Sequence, residues 1–266
     1  MLTHPNFDPV AVDLGIVQIH WYGLMYLAGF AFAYWMCKRY IAFKKLAISN
    51  EQVADLIFYG VMGLVIGGRI GYVFFYDLQQ FMADPFWLFK IWEGGMAFHG
   101  GFLGVCAAII FYAWRQNIRL GTLADMAALA VPMGLGFGRL GNFIGQELWG
   151  RETTVPWGMV FQNDPLGLVR HPSQLYQAFL EGPLLFAIIF FFTRKPRPQW
   201  SAAGLFILCY GVFRFFVEFF REPDPHIGFD LMDWLSRGQL LSLPMIIAGT
   251  LLVIWAYRQQ QPSHNN

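Results

Sequence analysis

Long apolar stretches constrain this chain more than any other feature. A helix needs about 20 mostly apolar residues to cross a bilayer. Such stretches recur near Ile19–Cys37, Ala54–Phe75, Met96–Trp114, Leu123–Ile144, Leu175–Thr193, Ala202–Phe220 and Leu240–Tyr257. A chain of 266 residues that is 56% hydrophobic and only 13% charged cannot hide this surface in a water-soluble core. The expected fold class is therefore an all-α polytopic membrane protein with about seven transmembrane helices. It is expected to form one integral membrane domain over residues 1–266. No period of fixed length recurs, so nothing points to an inverted-repeat transporter.

The loops suggest an orientation. Lys38, Arg39, Lys44 and Lys45 follow the first stretch, and Arg115 and Arg119 the third. Arg194, Lys195 and Arg197 follow the fifth, and Arg258 the seventh. The opposite loops hold fewer basic residues, namely Lys90, Arg151, Arg170, Arg221 and Arg237. They are rich in acid instead, with Asp77, Asp84, Glu93, Glu147, Glu152, Asp164, Glu222, Asp224, Asp230 and Asp233. By the positive-inside rule the N-terminus is expected on the periplasmic side and the C-terminus in the cytoplasm. The segment Met1–Gly15 lacks Lys and Arg and carries Asp8 and Asp13, so a cleaved secretory signal is not expected.

Composition excludes several classes. The formal net charge is +1, which gives no nucleic-acid footprint. Cys37, Cys106 and Cys209 each sit in an apolar run without a CxxC, so they read as small hydrophobes, and neither a disulfide framework nor a metal site is expected. GxSxG, HExxH and Walker A motifs are absent. Tyr76-Asp77 matches half of an intramembrane aspartyl protease signature, but no Gly-Asp pair supplies the other half.

Ionisable side chains inside a bilayer are costly and mark sites by default. The candidates are Arg69, His99, Arg139, Arg214 and Glu218. With the orientation above, Arg69, Arg139 and Arg214 fall in the outer portions of their spans. His99 lies near the outer start of the third span and Tyr22 near that of the first. Arg139 and Asn142 share a helix face, as do Tyr210, Arg214 and Glu218. Plainer readings stand beside these. Arg69 also suits a side chain snorkelling to outer headgroups. Arg214 and Glu218 also suit a self-neutralising i, i+4 pair. A lone histidine also suits a structural hydrogen bonder. Asp125 and Glu181, near span ends, read as solvated or capping groups. Gly63/Gly67/Gly71, Gly100/Gly104 and Gly134/Gly138 suit close helix packing. The run from Gly134 to Asn142 also lets backbone approach a ligand.

Two arginines and an imidazole at one depth suit a phospholipid phosphate. The planar guanidinium fork binds phosphate bidentately, and an imidazole exchanges protons near neutral pH. The residues alone thus support either a phospholipid-using enzyme or a phospholipid-binding or lipid-transport protein without catalysis.

An ordered set of motifs narrows this choice: His20-Trp-Tyr-Gly-Leu-Met-Tyr26, Gly67-Gly-Arg-Ile-Gly-Tyr72, Gly94-Gly-Met-Ala-Phe-His-Gly-Gly101 and Gly138-Arg-Leu-Gly-Asn-Phe143. Glu147-Leu-Trp-Gly-Arg151, Arg170-His-Pro-Ser-Gln-Leu-Tyr176 and the stretch from Tyr210 to Arg221 follow. With them the chain resembles the prolipoprotein diacylglyceryl transferase family along nearly its whole length. No motif position departs from the family pattern, although the loop Val155–Arg170 is short for it. The resemblance implies a transferase of the bacterial inner (cytoplasmic) membrane, with its active site facing the periplasmic side. Its donor would be phosphatidylglycerol. Its acceptor would be the lipobox cysteine that follows a prolipoprotein signal peptide, and the products a thioether and glycerol 1-phosphate. No cofactor or metal is implied. Arg139 and Arg214 would bind the phosphate. His99 would be the base. Tyr22, Asn142, Glu147 and Gly150 would be required positions, with Tyr210 and Glu218 in support and Arg69 as a further phospholipid contact.

Overall fold

The computed structural model describes residues 2–15, 17–222, 229–231 and 235–260. Asp224, Asp233 and the end of the polar tail, 261–266, lie outside the described residues. The chain divides into two compact units, one formed by residues 1–37 with 125–266 and the other by 38–124.

Helices dominate, and they fall where apolar sequence predicts them. α1 spans Trp21–Lys44, α2 Asn50–Tyr76, the short α3 Leu78–Ala83, α4 Phe98–Gln116 and α5 Leu120–Ile144. α6 (Ser173–Phe179) continues through a π-helical turn at Leu180–Leu184 into α7 (Leu185–Thr193). α8 covers Ser201–Val217 and α9 Arg237–Gln260. Among the described residues, four stretches are long and apolar enough to cross a membrane: Asn50–Tyr76, Leu120–Ile144, Ser173–Thr193 and Gly238–Gln259. The remaining three expected spans coincide with α1, α4 and α8. α8 is apolar but short.

Local chemistry explains the boundaries. α1 runs past the expected Cys37 and ends where Lys45 adopts a left-handed backbone, φ 51°. Ser49 opens α2 with a capping box: Gln52 N donates to Ser49 Oγ at 3.2 Å, and Ser49 N donates to Gln52 Oε1 at 2.9 Å. Pro183 lacks an amide hydrogen, and Gly182 beside it takes non-helical angles, so the fifth stretch is broken rather than continuous. Asp125, expected to be a solvated or capping group, is buried and accepts from Trp200 N at 2.8 Å and Ala203 N at 2.9 Å, so it caps α8 rather than the span it sits in.

In the unit 38–124, α2 and α4 meet through the predicted glycines. A Cβ on Gly71 would sit 2.8 Å from Gly100 Cα, and one on Gly67 2.8 Å from Gly104 Cα, so larger residues would force the helices apart. In the other unit, α8 packs along α9, and Gly29 of α1 approaches Gly134 of α5. A small three-stranded sheet gathers its loops. β1 (Leu2–Thr3) runs parallel to β4 (Met159–Val160), which pairs antiparallel with β5 (Val169–Arg170). His4 follows β1 into the interior, where its Nε2 lies 2.9 Å from Phe143 O and its ring packs against Phe143 and Phe161. β2 (Val10–Asp13) and β3 (Gln18–His20) form a hairpin that leads directly into α1.

Candidate functional site

A cluster of ion pairs in the unit 1–37 with 125–266 lies among α5, the π turn and α8. Arg139 Nε donates to Glu181 Oε2 at 3.1 Å; the carboxylate is wholly buried and the arginine mostly so. Tyr22 and Tyr210 also lie in the electrostatic neighbourhood of Arg139. One helix away, Arg214 Nη2 pairs with Glu218 Oε1 at 2.5 Å. Glu218 is held in turn by Arg221 Nη1 at 3.2 Å and by the Ser236 hydroxyl at 2.8 Å. Arg214 interacts electrostatically with both Arg139 and Glu181. Two guanidinium groups from different helices therefore share one field. Arg214 Nη1 and Glu181 Oε1 are both buried without a hydrogen-bond partner among the described residues. Orphaned polar atoms of this kind are rare in folded proteins and call for an explanation.

The end of α5 and the turn after it carry the next group. Asn142 Nδ2 donates to Glu147 Oε2 at 3.4 Å. Gln146 and Leu148, on either side of Glu147, both adopt left-handed backbone, φ 54° and 57°. This conformation is costly for residues with a side chain. Surrounding bonds enforce it. Gln174 Nε2 donates to Glu147 O at 2.6 Å, Ser173 Oγ to Leu148 O at 3.0 Å, and Gln162 N to Gln146 Oε1 at 2.7 Å. Tyr22 lies against this end of α5, since a Cβ on Gly141 would come within 2.6 Å of its ring. Gly138, next to Arg139, has open space where a side chain would project.

Gly150 lies in the following loop. Its N donates to His171 O at 2.9 Å, and a Cβ there would meet the same carbonyl at 2.6 Å. Close backbone approach thus explains this glycine. Nearby, Asp164 takes two bonds from Arg170, at 2.6 Å from Nε and 3.2 Å from Nη2. The Arg170 guanidinium holds the Asp164 carboxyl below the usual carboxylate range.

Arg69 and His99 belong to the other unit, 38–124. Arg69 is buried and donates to Trp87 O at 2.5 Å, Gly94 O at 2.6 Å, Leu88 O at 3.0 Å and Gly95 O at 3.3 Å. Its guanidinium also stacks over the Trp87 ring at 4.3 Å. Contact with a phosphate would have to displace some of these bonds, so the arrangement favours an anchor for the loop that leads into α4. His99 is the second residue of α4 and is exposed there. It follows Gly94 and Gly95, whose φ of 83° and 74° only glycine adopts readily.

Of the residues singled out from sequence, Tyr22, Arg139, Asn142, Glu147, Tyr210, Arg214 and Glu218 fall in one unit. The assignment of Glu181 as a solvated or capping group is corrected. It is fully buried in the π turn and is the ion-pair partner of Arg139. The available signal was a carboxylate inside an apolar stretch, next to Gly182-Pro183.

The sequence profile of the prolipoprotein diacylglyceryl transferase family matches residues 9–255. The chain belongs to this family. Relatives named phosphatidylglycerol–prolipoprotein diacylglyceryl transferase agree with the assignment. The one from Teredinibacter turnerae is 56% identical over 97% of this chain and 93% of its own length. That from Ectopseudomonas mendocina is 51% identical over 98% of each chain. That from Coxiella burnetii is 53% identical over 98% of this chain and all of its own. As a diacylglyceryl transferase of this family, the chain places Arg139 on α5 and Arg214 on α8, the helices that carry the Gly138–Phe143 motif and most of the Tyr210–Arg221 motif.

Proposed function

We propose that this protein transfers the diacylglyceryl group of phosphatidylglycerol to the lipobox cysteine of a prolipoprotein. The observation that carries the site assignment is the pairing of Arg139 and Arg214 in one field, with Arg214 Nη1 buried and unpartnered. An anionic phosphate satisfies both features. In this reading the acceptor thiol gives its proton to the His99 imidazole. The thiolate forms a carbon–sulfur bond at the glyceryl carbon, and the bond from that carbon to the phosphate oxygen breaks. Charge gathers on the departing glycerol 1-phosphate, where Arg139 and Arg214 stabilise it. Glu181 and Glu218 orient the two guanidinium groups. Tyr22, Asn142 and Glu147 orient the phosphate or the glyceryl hydroxyls, and Tyr210 supports Arg139. Gly150 permits the loop packing beneath Arg221. Arg69 sets the loop that leads to His99, whose role rests on imidazole chemistry and its glycine surroundings.

The location belongs to the same proposal. Seven helices cross the bacterial inner membrane, the N-terminus is periplasmic and the C-terminus cytoplasmic. The charge bias of the loops supports this orientation, and with it a site that opens toward the periplasmic leaflet.

Incubation of the purified protein with a lipobox peptide and phosphatidylglycerol labelled in its acyl chains tests the reaction. Thioether-linked label on the peptide cysteine, with equimolar glycerol 1-phosphate, is the expected result. Lipid binding or movement without peptide labelling would replace the enzyme with a lipid-handling protein.

A further inference from the structure

The buried face of α6 carries a row of acceptor oxygens that the two arginines do not explain. Gln174 and Gln177 are three residues apart and Glu181 follows four later, so the three share one helical face. All three are at most 1% exposed. The Oε1 atom of each is buried with no hydrogen-bond partner among the described residues. The amide of Gln174 is oriented by its own contact, because its Nε2 donates to Glu147 O at 2.6 Å, leaving Oε1 as the unpartnered acceptor.

The ends of the row locate it. At one end Gln174 holds the Glu147 turn, whose carboxylate accepts from Asn142. At the other, Glu181 accepts from Arg139. Gln177 lies between them in the chain and on the same buried helical face. Buried acceptors without donors destabilise a fold unless something donates to them. A ligand that satisfies this row supplies several O–H or N–H groups next to an anionic centre. Both hydroxyls and amines donate, and the donor of the proposed reaction, phosphatidylglycerol, brings hydroxyls in its polar head.

We propose that this face of α6 is the subsite that recognises the hydroxyl groups of the donor's polar head, with Gln177 as its specificity-determining residue. The proposal rests on the reading of Arg139 and Arg214 as the phosphate site of the transferase. A site built to bond a hydroxyl rejects an analogue lacking it, because its own buried acceptors are then left unpaired.

The test compares two donors with the purified protein and a lipobox peptide: phosphatidylglycerol, and a phosphatidylpropanol of the same acyl chains and charge but no headgroup hydroxyl. The wild type should favour phosphatidylglycerol in kcat/KM by about tenfold or more. Gln177→Met, similar in volume but without the acceptor, should lose that factor with phosphatidylglycerol and leave the phosphatidylpropanol rate unchanged. Gln177→Glu keeps an acceptor and should keep the preference. Equal use of both donors by the wild type would overturn the proposal without recourse to any variant. So would an equal loss with both donors in Gln177→Met, which marks a structural residue. A wild type that transfers from neither donor would instead defeat the transferase reading beneath it.

Discussion

Arg139 on α5 and Glu181 in the π turn form an ion pair at 3.1 Å in which the carboxylate is completely buried. The pair joins the helix that carries the glycine-rich motif to the point where Pro183 interrupts the fifth apolar stretch. It engages Arg139 through its Nε.

Removing one partner of a buried pair leaves an uncompensated charge and costs about 3–5 kcal/mol. Glu181→Gln is therefore expected to lower the thermal midpoint of the detergent-solubilised protein and to reduce transfer. The double variant Glu181→Gln with Arg139→Met should recover part of the stability and none of the activity. A single variant as stable as the wild type would remove the pair from the fold's support.

Arg139→Lys keeps the charge and loses the planar fork. The variant should insert normally while its transfer rate falls about 10²–10³-fold, the usual effect of losing one strong transition-state contact. A turnover assay with labelled phosphatidylglycerol measures this, and wild-type turnover would take Arg139 out of the chemistry.

For His99→Gln we expect normal insertion, retained phosphatidylglycerol and loss of most transfer at neutral pH. Raising the pH should restore part of the rate, because a free cysteine thiol, of pKa about 8.5, then ionises unaided. Near-normal turnover at neutral pH would leave His99 a structural hydrogen bonder, and loss of lipid binding would move it to the headgroup.

Asp164 gives the loop around β5 an acid-sensitive hold. Its carboxyl is depressed in the folded protein, chiefly by the hydrogen bonds from Arg170. The stabilisation is therefore complete above the unfolded value of about 3.9 and is lost as the pH falls through the lower folded value. Hydrogen exchange at Leu166 and Leu168, whose amides donate to Asp164, should show protection that collapses only in strong acid. In Asp164→Asn, protection should be weaker throughout and lack that acid step.

Orientation is open to direct labelling. In a variant whose three native cysteines are replaced, a cysteine at Pro5 should react with a membrane-impermeant maleimide from the periplasmic side. A reporter fused after Arg258 should be active only if it functions in the cytoplasm. Labelling only after lysis would reverse the orientation.

What sequence determines here follows from local chemistry. Apolar runs place every long helix, because a helix is the simplest way to satisfy backbone polar groups in hydrocarbon. The spacings of Gly63, Gly67 and Gly71 and of Gly100 and Gly104 mark faces for close helix packing, and the structure sets the two faces against each other. Ordered motifs mark Arg139, Asn142 and Arg214 as candidates, and the matched profile bears out the family they suggested. Partnership required the tertiary structure. Nothing in the spacing of Glu181 says that it meets Arg139, 42 residues away. The engagement of Arg69 with four loop carbonyls depends on how Trp87–Gly95 folds back. The left-handed residues beside Glu147 carry no glycine signature, because contacts from Gln174, Ser173 and Gln162 impose them. Helix position is written in nearest-neighbour hydrophobicity, whereas the pairing of buried polar groups depends on which distant residues packing brings within about 3 Å.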